Sequence, residues 1–193
     1  MIEIIQKIKL KIQKIFFIIF YTSSFKSFGK RSTFVFPFRI NGAEFISVAE
    51  KVHINEGAWM MALKNSKKDP VISIGSGSYI GRSVHIVAVN RIDIKDNVAM
   101  ADKVYITDNA HNYEDINTLM KEQEILDFGP VVIGENTWLG ENSCIMGASI
   151  GKHCVIGVNS VVTSDIPDYS IAVGSPARVI KQYNFETKKW EKR

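Results

Sequence analysis

Four histidines, two cysteines and a few glycine-rich turns are the residues of this 193-residue chain whose types could do chemistry beyond simple charge. A neutral imidazole can take a proton from an alcohol near neutral pH, so the place of each histidine matters. His53 lies between Val52 and Ile54 and His85 directly precedes Ile86, positions that point outward if the aliphatic residues point in. His153 sits in the turn GKHC. His111 differs, because it stands in TDNAHNYED beside Asp108, Asn109 and Asn112, within a stretch from Thr107 to Pro130 that keeps none of the periodicity around it. A loop imidazole is either solvated and inert or the group on which the chemistry turns, and long irregular loops on rigid scaffolds are where function concentrates.

The other constellations lead nowhere specific. Cys144 and Cys154 are too few for a disulfide framework and lack CxxC spacing, so reduced thiols are expected. GSGSYIG at 75–81 has its third glycine at the wrong spacing for a dinucleotide fingerprint, and GASIGKH at 147–153 is one residue short of a phosphate-binding loop and ends in histidine. Scattered histidines offer no metal-ligand spacing, and no metal is expected. The net charge of +4 is unevenly placed: residues 1–43 hold Lys7, Lys9, Lys11, Lys14, Lys26, Lys30, Arg31 and Arg39 against the single acid Glu3, a net of +7, and residues 44–193 carry 16 basic and 19 acidic residues, a net of −3. The main domain therefore offers no basic footprint for nucleic acid.

These residues are spaced by an internal repeat. Val48, Ile54 and Met60 are six apart; past the hydrophilic break KNSKKDP so are Ile74, Ile80 and Ile86, then Ile94, Met100 and Ile106. Beyond the irregular stretch come Ile133, Leu139 and Ile145, one step of five, and then Ile150, Ile156 and Val162. Small or β-branched residues follow four positions later, among them Val52, Ala58, Ser78, Val84, Thr137, Ser143, Cys154 and Ser160. Neither a helix nor a plain strand repeats every six residues, whereas a short strand followed by a corner does. A unit this small cannot bury its own aliphatic residue, so the units must coil and stack. Glycine after the aliphatic residue, as at Gly75 and Gly81, suits a turn with unusual backbone angles.

Before the repeat, Ile5, Ile8, Ile12, Ile15 and Ile19 alternate three- and four-residue steps, one stripe of an amphipathic helix too short in its apolar run to span a bilayer. It either packs on the domain or a neighbouring subunit, or lies on an anionic membrane surface through residues 1–21. The basic residues interleave with isoleucine, unlike a signal peptide. A cytoplasmic protein is expected, peripheral at the inner membrane face if the helix meets lipid. The chain divides into a basic segment 1–43, a repeat domain 44–183 with its loop 107–130, and a short tail, 184–193, that caps the open end.

VISIGSGSYIGRSVHI, VVIGENTWLGENSCIMGASIGKHCVIGVNSVVTSDIP and AVGSPARVIKQY resemble the hexapeptide-repeat acyltransferases, nearest the O-acetyltransferases of sugars and surface polysaccharides, over residues 46–183. The resemblance implies an all-β fold, a left-handed parallel β-helix, assembled as a homotrimer with sites between subunits. It implies acetyl-CoA as co-substrate and His111 as general base toward a sugar hydroxyl. It implies cofactor contacts at Trp138, Val158, Thr163, Ser164, Arg178 and Lys181, and acceptor contacts at Ser83, His85, Asn109 and Trp138. Trp138, directly before Leu139, points outward and suits stacking on a sugar or pantetheine, or anchoring a subunit interface. CIMGASIG departs from the family by one missing residue and an absent proline. Two other readings use the same coils: N-acetylation of a nucleotide-linked amino sugar, and a non-catalytic assembly or membrane-surface module.

Overall fold

A strand of two to four residues can satisfy its backbone only by pairing with its equivalent one coil away. The computed structural model describes residues 1–64 and 68–193; residues 65–67, inside the hydrophilic break, lie outside the described residues. Its parallel strands form three sheets, the faces of a prism, each rising one strand per coil. Face A climbs through Ile46–Val48, Val71–Ile74, Arg91–Ile94 and Val131–Ile133; face B through His53–Ile54, Tyr79–Ile80, Ala99–Met100, Trp138–Leu139, Val155–Ile156 and Ser170–Gly174; face C through Trp59–Ala62, His85–Ala88, Tyr105–Thr107, Cys144–Met146 and Val161–Val162.

The register is in phase with the six-residue beat. Ile54, Ile80, Met100, Leu139 and Ile156 stand one above another, and each is at most 1% exposed. The small residues four positions on are buried at the corners, Ser78, Thr137 and Cys154 among them. The corner hydroxyls are also used: Ser78 Oγ donates to the Lys95 carbonyl and accepts from the Val98 N–H. The five-residue step after Ile145 is absorbed at Gly147, whose φ is +59°, after which Ile150 rejoins face A by a single bridge to Ile133.

Glycine after the aliphatic residue serves a different purpose from the one expected. The left-handed backbone falls mainly on other residues, including Asn97, Asn136, Asn142 and Asn159. Gly75 has no such angle; a Cβ there would collide with the backbone of Lys95 in the next coil. Close approach of coils, not turn conformation, requires it.

The prism also begins earlier than residue 44. Ser27–Phe28, Thr33–Phe34 and Arg39–Asn41 add a coil whose Phe28, Phe34 and Ile40 stand over Val48, Ile54 and Met60. Helix α1 (Ile2–Phe20) meets this coil through one buried residue, Phe17, ringed by Tyr21, Phe25, Phe28, Phe34, Phe36 and Phe38 at centroid distances of 5.2 to 6.4 Å. Burying a phenylalanine so completely is worth about 1.5–3 kcal/mol, and Phe16 adds an edge contact with Phe36 at 6.1 Å. The isoleucine stripe does not pack on the chain's own domain: Ile5, Ile8, Ile12, Ile15 and Ile19 remain 51% to 64% exposed. No helix among the described residues is long and apolar enough to cross a membrane.

At the other end, Ala177–Asn184 and Lys189–Lys192 form an antiparallel hairpin added to Ser170–Gly174 of face B.

Candidate active site

Where Tyr105–Thr107 leaves face C the chain departs from the prism at the edge between faces C and A. Asn109–His111 pairs antiparallel with Ile125–Asp127, His111 opposite Ile125, making a two-stranded arm before the chain returns to face A at Val131. Its root is Asp108, 0% exposed. That carboxylate accepts hydrogen bonds from the backbone N–H groups of Val89, Asn90 and Arg91 at 2.8 to 2.9 Å, the corner of the coil below. A carboxylate is the one side chain with enough acceptor capacity to satisfy three converging donors.

The second strand is pinned as well. Asp127 accepts from Asn90 Nδ2 and pairs with Lys68 Nζ at 2.7 Å. Burial pushes its carboxyl up, but Lys68, Asn90 and the Gly129 N–H outweigh this and hold it below the usual range. Asn109 donates from Nδ2 to the Val87 carbonyl and to Asp108, which ties the arm to the prism. The His111 side chain is exposed, with no hydrogen bond or ring contact among the described residues. A free imidazole on a pinned support is suited to take a proton from an incoming group.

Face C beside the arm carries an aromatic column. His85 stacks on Trp59 at 4.2 Å and lies 5.1 Å from Tyr105, with the Arg39 guanidinium 4.6 Å above the Trp59 ring. His85 Nε2 and Trp59 Nε1 are cut off from solvent without a hydrogen-bond partner. Burial lowers the His85 pKa, which keeps the ring neutral. An unfolded histidine takes up its proton near pH 6.5 and the folded one only at lower pH, so this residue makes stability fall as pH drops through that range. A His85→Phe variant keeps the stack without titrating. Its urea midpoint is expected to fall less than the wild type's between pH 7.5 and 5.5.

Trp138, 47% exposed, stands on face B, in one outward column with Val155, Ile171 and Lys181. Arg178 and Lys181 are three apart, a spacing that puts strand side chains on opposite faces. An irregularity intervenes: Ala172 pairs with Val179 but Ile171 pairs with Lys181, leaving Ile180 extra. Arg178, opposite Val173, and Lys181, opposite Ile171, therefore share the outward side. Neither has a carboxylate partner among the described residues, which suits them to a polyanion. Val158 lies at the edge between faces B and C, whereas Thr163 and Ser164 follow Val161–Val162 at the edge between C and A, two coils beyond the arm. Ser83 is an exposed corner residue with φ +53°.

One protomer thus divides the expected site. His111, Asn109, Thr163 and Ser164 belong to the C–A edge, with His85 on the adjoining face C. Trp138, Arg178 and Lys181 lie on face B, which a triangular prism sets opposite that edge. The thiols are free: Cys144 on face C is half-buried, and Cys154 points into the core. No group of three His, Cys, Asp or Glu among the described residues is close enough to hold a metal.

Residues 130–164 match the model for the hexapeptide repeat of succinyl-transferase. WbbJ of Escherichia coli K12, named as an O-acetyl transferase of lipopolysaccharide biosynthesis, is 38% identical over 63% of this chain and 66% of that protein. The galactoside O-acetyltransferase of the same organism is 36% identical over 68% of this chain and 64% of that protein. A solved maltose O-acetyltransferase from Clostridium difficile 630 is 30% identical with a TM-score of 0.58, covering 83% of this chain and 71% of that one. The chain belongs to the hexapeptide-repeat acetyltransferases. Its match spans between about half and two thirds of the length of the curated relatives. The fold is the family's left-handed β-helix, and the repeat match begins where the arm rejoins the prism, so His111 lies outside it.

Proposed function

We propose that this protein transfers an acetyl group from acetyl-CoA to a sugar hydroxyl of a surface polysaccharide or its precursor. The observation that carries the reading is the exposed His111 imidazole on an arm fastened by Asp108. A sugar hydroxyl is a poor nucleophile until a base takes its proton, and His111 is free to do so. Acetyl-CoA, when bound, supplies an already activated thioester, so no nucleophilic side chain is needed. Arg178 and Lys181 bind its phosphates, and Trp138 offers a flat ring to pantetheine or sugar. Val158, Thr163 and Ser164 border the coenzyme, while Ser83, His85 and Asn109 face the acceptor. The test is labelled acetyl-CoA with a panel of glycans and amino sugars, products located by mass spectrometry and NMR. Ester products are expected. Amide products favour the N-acetylation reading, and transfer to nothing favours a non-catalytic module.

The separation of the C–A edge from face B supports a homotrimer in which His111 of one copy meets Trp138 and the coenzyme-binding cations of a neighbour. Inactive His111→Ala and Trp138→Ala proteins, unfolded together, refolded and assembled at random, are then expected to regain activity in about a quarter of their sites. Separately refolded controls stay inactive. A site made within one chain gives no recovery. The exposed stripe of α1 supports peripheral contact with an anionic membrane surface, where lipid-linked glycans are presented.

A further inference from the structure

Between α1 and the first two coils lies a cavity of about 480 Å³ with an apolar wall that includes Leu10 and Phe34, and with four cations, Lys11, Lys14, Arg31 and Lys51. None of the four pairs with a carboxylate among the described residues. Arg31 and Lys51 occupy the same corner of successive coils, each with a left-handed φ, at +63° and +58°. One ladder step of about 4.8 Å separates their backbones. Two like charges on adjacent rungs of the ladder, with two more facing them from the helix, give this opening a positive potential that favours an anion. His53, also in the wall, does not supply the contact, since its ring nitrogens are engaged by Thr33 and Asn55.

The helix indicates which anion. Ile4, Ile5, Ile8, Ile12, Ile15 and Ile19 fall within roughly 100° of its circumference, on the side away from Phe17. Each is more than half exposed, and lysines flank the stripe. A second copy of the helix would set these lysines against their equals with only Glu3 in compensation, whereas an anionic bilayer takes the isoleucines among its chains and the lysines among its head groups. The cavity lies on the prism side of the helix, one helix diameter, ~10 Å, above the lipid-buried isoleucines, at the outer edge of the head-group layer. Five ladder steps on face B, roughly 24 Å, separate its nearer wall at His53 from the strand beside Arg178 and Lys181, so it is not the coenzyme site.

We propose that this cavity binds the phosphate head group of an anionic membrane lipid, converting surface contact into a defined lipid site. The proposal rests on the membrane-surface reading above and sharpens it. The probes are short-chain phosphatidylglycerol below its micelle concentration, the matching phosphatidylcholine, and inorganic phosphate, titrated by NMR. Arg31→Asn with Lys51→Asn removes two charges while keeping a residue that tolerates left-handed φ; Lys11→Gln with Lys14→Gln removes the other two from the helix side. Each pair is expected to weaken phosphatidylglycerol binding at least tenfold. Lys7→Gln with Lys9→Gln, outside the cavity, is expected to leave it unchanged, and unchanged urea midpoints certify the folds. Absence of binding by the wild type, equal loss in the outside pair, or no loss in either cavity pair overturns the site; equal affinity for inorganic phosphate overturns the lipid assignment. Acetyl transfer to a free oligosaccharide, run in parallel, separates failure of this site from failure of the acetyltransferase reading.

Discussion

His111→Ala is expected to lower kcat/KM for acetyl transfer by about 10²- to 10⁴-fold, the usual worth of a positioned general base. Coenzyme affinity should stay within about twofold, because Arg178 and Lys181, the cations assigned to its phosphates, are left in place by the substitution. Stability should change by no more than about 0.5 kcal/mol, since the ring is exposed and makes no hydrogen bond or ring contact among the described residues. These three readouts together distinguish a base from a folding residue. His111→Gln, which keeps bulk and polarity without the basicity, should be as slow as alanine. Activity within tenfold of wild type in either variant would sink the assignment and move attention to His85 on the neighbouring face.

The second large effect concerns a residue that touches no substrate. Asp108→Ala leaves the N–H groups of Val89, Asn90 and Arg91 without their acceptor in a buried corner. Each orphaned donor costs about 1–3 kcal/mol, with partial relief as water enters. A loss of about 3–5 kcal/mol in urea unfolding is expected, with faster hydrogen exchange at those three amides. Transfer should also fall, through disorder of the arm, while coenzyme binding persists. Asp108→Asn should be milder, because one carbonyl oxygen still accepts while its NH2 group faces a donor. Equal stability of Asp108→Ala and wild type would show that the arm is held elsewhere.

Much of this architecture was readable because period and burial are the same fact in a coil of six-residue units: Ile80, Met100 and Leu139 were placed by counting, and all three are buried. The loop was readable as the place where counting fails. The first coil was missed although Phe28, Phe34 and Ile40 keep the beat, since Phe25, Phe36 and Phe38 between them blur it. The stripe of α1 is legible but not its direction, which Phe17 decides by fitting an aromatic cage assembled from Tyr21 to Phe38. Asp108 was visible beside His111, yet its partners are 17 to 19 positions upstream and only coil stacking brings them near. The common side of Arg178 and Lys181 depends on one unpaired residue, Ile180, and strand alternation argues the opposite.

Glycines such as Gly75, with the next coil's backbone against them, leave no slack between coils. The prism is therefore a ruler with a single graduation of about 4.8 Å. Any two groups mounted on it can be moved apart only in whole graduations, by inserting or deleting a complete coil. The arm is under no such restriction, because residues between His111 and Ile125 can be added without disturbing the ladder. Coarse spacing within the fold is quantised, and the reach toward different acceptors is continuously adjustable.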